Sequence, residues 1–129
     1  MYVDNELVLA DWTSLSGTSV TTSNYDFGQS ADVGNFDVAF TVQTDGNAAG
    51  PSTVDVAVEL SDDGSSWTEV ARHKYTLADF NADILSIRAP LRKGQYARLK
   101  IIGDVAFSAG KVFAKLSGLG YPNRDIYGA

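Results

Sequence analysis

The chain of 129 residues has no cysteine, one histidine and one methionine. Without thiols it forms no disulfide and offers no thiolate nucleophile or thiolate metal ligand, a usage that suits manufacture in a reducing cytosol. A single imidazole, His73, leaves a tetrahedral zinc site short of its usual donors. No apolar run approaches the ~20 residues that span a bilayer. The start, Met1-Tyr-Val-Asp-Asn-Glu6, is acidic and lacks the basic opening of a secretory signal. Also missing is any lysine or arginine before Arg72.

That last absence is directional. All ten Lys and Arg lie at or after Arg72, and twelve of the sixteen acids precede it, so residues 1–71 carry −12 and residues 72–129 carry +6. The net charge of −6 disfavours nucleic acid, which demands clustered phosphate-neutralising cations. Neither nucleic acid nor membrane is expected as a partner. Within a compact domain the two halves attract each other. Kept on separate faces they make the molecule electrically two-sided, suited to docking between unlike surfaces, whereas a strand order that interleaves them dilutes the effect.

The hydrophobic pattern is strand-like nearly throughout. Phe36, Val38, Phe40 and Val42 alternate with polar or small residues, as do Val54, Val56, Val58 and Leu60. Residues 84–87, 96–102 and 105–116 are further strands, rich in β-branched and aromatic side chains, with shorter ones at 7–10 and 18–22. Turn clusters stand between them: 44–51 (TDGNAAGP), 61–66 (SDDGSS), 92–94 (RKG) and 102–104 (IGD). The one helical pattern, at 76–83, is short and is expected to carry little of the fold. Many short strands at regular spacing predict an all-β protein, one antiparallel β-sandwich or jelly roll over residues 1–129.

Candidate chemistry is sparse. His73 stands between Arg72 and Lys74 in an exposed-looking strand, and no nucleophile elbow accompanies it. Asp62, Asp63 and Asp45-Gly46-Asn47 offer oxygens for calcium but lack the spaced ligand loop of an EF-hand, so plain turn chemistry is expected. Glu59 and Glu69 flank one hairpin and are expected to face solvent. The run from Ser61 to Trp67 (SDDGSSW) resembles the S-x-D-G-x-x-W turn of discoidin-like and related jelly-roll modules, where it shapes a hairpin and holds no ligand. In that hairpin Trp67 is expected to fold over the turn or onto the sheet. A sugar platform needs two or more exposed aromatics on one face, for which Trp12, Trp67, Tyr25 and Tyr75 are the candidates. No catalytic residue, metal or cofactor is assigned, and no enzymatic activity is expected.

Candidate contact residues come from charge and from aromatics near the ends. Arg88, Arg92, Lys93, Arg98 and Lys100 crowd residues 88–100, and Arg98 and Lys100 share a strand face opposite Leu99 and Ile101. That patch is either a solvated strand face or a surface for an acidic partner, such as the N-terminal half of an identical subunit. Segments 1–7 and 118–129 read as arms: unlike disordered tails they carry aromatic residues to bury, against their own domain first or against a neighbour. Tyr2, Asp4, Leu7, Tyr121, Arg124 and Tyr127 on the arms, with Arg88, Arg92 and Arg98, are the expected subunit or capsid contacts.

Read in order, the chain resembles the small jelly-roll capsid cement (decoration) proteins of tailed bacteriophages. The residues that carry this are Leu7-Val-Leu-Ala-Asp11, the Ser/Thr-rich stretch 16–28, the paired alternating strands ending in Glu59-Leu-Ser-Asp-Asp-Gly64, the Pro90–Lys93 loop, Tyr96-Ala-Arg-Leu-Lys-Ile-Ile102, and Ser108-Ala-Gly followed by the strand to Leu116. The resemblance implies a structural virion protein made in the host cytoplasm. It would bind the outside of an icosahedral head as a homotrimer, contact the major capsid protein and need no cofactor. The alternative is a carbohydrate-binding or adhesive jelly-roll module of a tail or receptor-binding complex.

Overall fold

Alternation of valine with polar residues builds the two central strands. Val38, Phe40 and Val42 are fully buried, as are Val54, Val56 and Val58, while Thr41, Gln43, Asp55 and Glu59 point the other way. The computed structural model describes residues 8–26, 36–91 and 96–120. They form β1 (Val8–Ser14), β2 (Gly17–Thr21), β3 (Tyr25–Asp26), β4 (Phe36–Thr44), β5 (Thr53–Ser61), β6 (Thr68–Thr76), α1 (Leu77–Ala82), β7 (Leu85–Leu91), β8 (Tyr96–Phe107) and β9 (Lys111–Gly120).

Two antiparallel sheets result, one ordered β1-β9-β4-β7 and the other β2-β8-β5-β6, with β3 also on β8. We call them the β4 sheet and the β5 sheet. The pairs are nested: β5 with β6, β4 with β7, β2 with β8 and β1 with β9. A chain folded into one long hairpin and then rolled gives this order, so the sandwich is a jelly roll, as the strand pattern predicts. β2 and β3 are two parts of one edge. Between them Thr22 keeps the ladder closed: its N–H donates to the Leu99 carbonyl and its Oγ1 accepts from the Leu99 N–H, each at 3.0 Å.

Every ladder joins a strand of the acidic half to one of the basic half, with β6, which carries Arg72 and Lys74, counted as basic. No two strands of the same half pair. Pairing thus interleaves the acidic and basic halves strand by strand, which dilutes the asymmetry seen along the sequence.

The sandwich has unlike ends. At one, the β1–β2, β4–β5 and β8–β9 turns meet α1. Thr76 caps that helix, its Oγ1 accepting from the Asp79 N–H. Phe80 is fully buried against Phe107, with ring centroids 6.3 Å apart. Asn81 Oδ1 accepts from Thr44 Oγ1 and the Ala48 N–H, and its Nδ2 donates to the Ala48 carbonyl. The short helix thus plugs the core, contrary to the expectation that it carries little; its weight lies in tertiary contacts that its length does not show. Gly110 adopts φ +109, and a Cβ there would stand 2.5 Å from Ala48 Cα, so glycine alone lets the two turns touch. At the opposite end stands the β5–β6 hairpin. There the chain leaves the described structure after Asp26, Leu91 and Gly120 and re-enters at Phe36 and Tyr96, and Val8 is the terminus of β1 that faces this end.

Two boundaries are corrected. β8 runs unbroken through residues 102–104, where a turn was expected. Gly103 is there because a Cβ would lie 2.5 Å from Pro51 Cγ, a packing reason and not a turning one. The turn falls instead at 108–110. At the C-terminus, residues 118–120 pair with 37–39 of β4, so they belong to β9 and not to the arm expected from 118 onward.

The bipartite pairing makes a prediction. A chain cut after Gly64, between β5 and β6, gives two fragments that hold no strand pair of their own. Each alone should show no sheet signal by circular dichroism, and an equimolar mixture should regain it, more slowly in high salt because the fragments are oppositely charged. A fragment that folds alone contradicts this topology.

Candidate interaction surfaces

On the outer face of the β5 sheet the charges close into pairs. Arg98 alternates with buried Ala97 and Leu99 and so points outward together with Lys100, as expected. Its Nε donates to Glu59 Oε1 at 2.7 Å, and its guanidinium carbon stands 4.0 Å from the Trp67 ring centroid. Trp67 therefore lies on the sheet. Glu59 is corrected from solvent-facing to largely covered: its side chain is 13% exposed and that of Arg98 23%. A charge-assisted bond and a cation–π contact hold the same guanidinium. Next to them Arg72 Nη2 donates to Glu69 Oε1 and its Nη1 to Asp55 Oδ2, both at 2.8 Å, with Lys74 3.9 Å from Asp55. The Arg72 hydrogen bond holds the Glu69 carboxyl below its ordinary range. Cross-strand acid–base pairs of this kind stabilise a sheet locally.

The outer face of the β4 sheet is different. Arg88, exposed on β7, lies opposite Ala39; Thr41 stands between Ser86 and Lys115; Gln43 lies opposite Phe113. Among the described residues this face holds no ion pair. Its ladders are irregular: the register of β1 with β9 shifts between Val8 and Ala10 and again between Ala10 and Thr13, and that of β4 with β9 between Ala39 and Phe40. Within the bulge between Ala10 and Thr13, Trp12 adopts φ 51, a left-handed conformation that costs a bulky residue about 1–3 kcal/mol. The bulge lays the Trp12 ring 5.5 Å from that of Phe113, tilted by 37°, and leaves Trp12 40% exposed.

The hairpin polar groups are used within the turn. Asp63 Oδ1 accepts from the N–H groups of Ser65 and Ser66 and from Ser61 Oγ, and Ser61 Oγ accepts in turn from the N–H groups of Asp63 and Gly64. Asp45 Oδ1 likewise accepts from the N–H groups of Asn47 and Lys111. Both acids therefore shape turns, as the sequence suggests. An open cleft of about 520 Å³ runs beside the hairpin between Leu60, Val70 and Thr68, and its Ser61 and Asp63 oxygens are already engaged. Among the described residues no three His, Cys, Asp or Glu side chains gather as metal ligands. His73 is exposed on the edge strand β6.

The structure splits the basic run. Arg88 lies on the outer face of the β4 sheet and Arg98 on that of the β5 sheet, so residues 88–100 do not form one patch. Tyr2, Asp4, Leu7, Arg92, Tyr121, Arg124 and Tyr127 lie outside the described residues. The strand termini that lead to their segments, Val8, Leu91, Tyr96 and Gly120, are the ones that face the hairpin end. The left-handed backbone at Trp12 has one sequence signal, the broken alternation at Leu9-Ala-Asp-Trp12, where neighbouring Leu9 and Ala10 are both buried.

No protein-family model and no curated protein matches the chain. Solved structures do resemble it distantly. The C-terminal domain of a chitobiase from Bacteroides fragilis is 15% identical, with 78% of this chain and 66% of that one covered at a TM-score of 0.43. The module CBM32-3 from a family 31 glycoside hydrolase of Clostridium perfringens is 16% identical, with 82% and 71% covered and a TM-score of 0.41. The CBM22-1–GH10 portion of Clostridium thermocellum xylanase 10B, complexed with xylohexaose, is 12% identical, with 87% and 28% covered and a TM-score of 0.40. Likeness at this level carries no argument about function.

Three exposed aspartates predict an acid response. Backbone N–H groups hold Asp63, Asp45 and Asp104 below the ordinary aspartate range: those of Ser66 and Ser65 at Asp63, those of Lys111 and Asn47 at Asp45, and that of Ser52 at Asp104. A carboxyl whose folded pKa is depressed stabilises the fold above its unfolded value near 3.9, and that contribution is lost as pH falls through the folded value. The melting temperature should hold between about pH 7 and 5 and drop below about pH 4. Asp63→Asn should melt lower at neutral pH and decline less steeply in acid; a parallel decline would contradict the role given to Asp63.

Proposed function

We propose that this chain is a capsid cement protein, binding the outer surface of an icosahedral phage head as a trimer and tying neighbouring capsomers together. The observation that carries the proposal is the common end: the strand termini leading to the arms and to the Arg92 loop all face one end of a rigid jelly roll. A scaffold so arranged offers several attachment points at one end, and the role requires neither a pocket nor turnover. The order of sequence elements supports the same reading, since the fold that the resemblance implied is the one observed. The mechanism is linkage: a protein that binds only the mature shell stabilises that state by mass action. Many modest contacts repeated on a symmetric lattice add through avidity. Arg98, held by Glu59 and Trp67, serves here as part of the rigid frame beneath the contacts.

A carbohydrate-binding module is the second reading, and one observation favours it. Trp12 and Phe113 place two aromatic rings on one outer face. Trp67 does not extend that platform, because it lies against Arg98 on the opposite sheet.

Heads of the source phage produced without this chain provide the test. Purified protein should bind them saturably, in a copy number divisible by three, and raise the temperature at which they rupture. On a glycan array it should bind nothing. Absence of head binding together with glycan binding that is lost in Trp12→Ala would replace the first reading with the second.

A further inference from the structure

The exposed large hydrophobic residues among those described are Trp12, Ile84 and Val105, at 40%, 67% and 52% exposure. They lie in two places of opposite charge. Trp12 stands on the outer face of the β4 sheet, where the described cations are Arg88, Lys115 and, at the start of β9, Lys111, with Asp11 the acid beside it. Ile84 and Val105 stand at the α1 end of the sandwich. Asp45, Asp79, Asp83 and Asp104 are exposed there, against Lys111. Backbone N–H groups keep Asp45 and Asp104 ionised by bonding their carboxylates.

We infer that the outer face of the β4 sheet is docked by the α1 end of a second copy, with Ile84 and Val105 against Trp12 and Phe113, and Asp79 and Asp83 facing Arg88 and Lys115. Charge selects the occupant. Two β4-sheet faces packed together would oppose cation to cation, and two α1 ends would oppose carboxylate to carboxylate. Only the head-to-tail arrangement sets the exposed apolar residues of one surface against those of the other with unlike charges across the contact. A sheet face and an end of the same sandwich point in different directions, so a contact between them is heterologous and generates a ring when the rotation closes. The strained backbone at Trp12 then has a role, since it holds the large ring at the centre of the contact, where aromatic anchors carry most of the binding. The inference deepens the trimer of the proposed function and rests on that reading only for the number of copies.

Light scattering on the size-exclusion peak tests it. The wild-type chain should elute at about three times 13.8 kDa. Trp12→Gly, which suits the left-handed backbone and removes the ring, should give a folded monomer. The double variant Arg88→Glu/Lys115→Glu should be monomeric, as should Asp79→Lys/Asp83→Lys, and an equimolar mixture of the two should associate, because both contacts between unlike subunits are compatible; a ring of three cannot alternate two kinds of subunit, so the mixture should give dimers and higher even-numbered species in place of the trimer. Circular dichroism confirms folding, and a reversal variant that loses its sheet signal is replaced by the matching alanine pair. A wild-type monomer at every concentration overturns the inference, as do assembled reversal variants or a mixture that stays monomeric. Head binding by a monomeric wild type would overturn this interface while leaving the cement reading intact.

Discussion

Each backbone ladder of this jelly roll runs between the two halves of the chain, and the rest of the structure depends on that. The N-terminal half supplies β1 to β5 and no cation; the C-terminal half supplies β6 to β9 and every cation. Because no half pairs with itself, acid-bearing β5 is flanked by basic β6 and β8, and Asp55 and Glu59 meet Arg72 and Arg98 across the strands. A segregation of charge that looks extreme along the sequence becomes local neutralisation in space. The same arrangement ties folding to contacts between distant residues, which favours one cooperative unit over a stepwise build.

Interleaving leaves the two outer faces unequal. The β5-sheet face is closed by its own ion pairs and by the Trp67–Arg98 stack. The β4-sheet face is broad and mostly uncharged, and its most exposed aromatic is held by a strained bulge. The two ends differ as well. One is plugged by Phe80 and knit by Asn81 and Gly110; the other gathers the strand termini that lead to the arms. A plugged, well-knit end and an opposite end where strand termini lie together suit a protein that works by contact.

The part of this fold that depends on side-chain alternation was readable from sequence. Val38 to Val42 and Val54 to Leu60 alternate because one sheet face is buried, and the Ser61–Trp67 turn is written in residues that bond their own backbone. What depended on distant neighbours was not readable. Gly103 looks like a turn residue until Pro51 is seen against it, and six residues of helix look negligible until Phe80 is seen in the core. Arg88 and Arg98 are ten positions apart, yet the connection between β7 and β8 crosses from one sheet to the other and separates them. For the candidate surfaces, the period-2 rule placed Arg98 and Lys100 on one face, but no local pattern showed that Glu59 and Trp67 already hold Arg98.

The proposed cement role is a statement about location, so an image of the assembled particle is the most direct test. Electron cryo-microscopy should compare phage heads assembled with this chain and heads assembled without it. The account predicts difference density on the outer shell at three-fold or quasi-three-fold positions, into which three copies of this sandwich fit with their hairpin ends against the capsomers. Heads of identical surface density, or density confined to the tail, would contradict it.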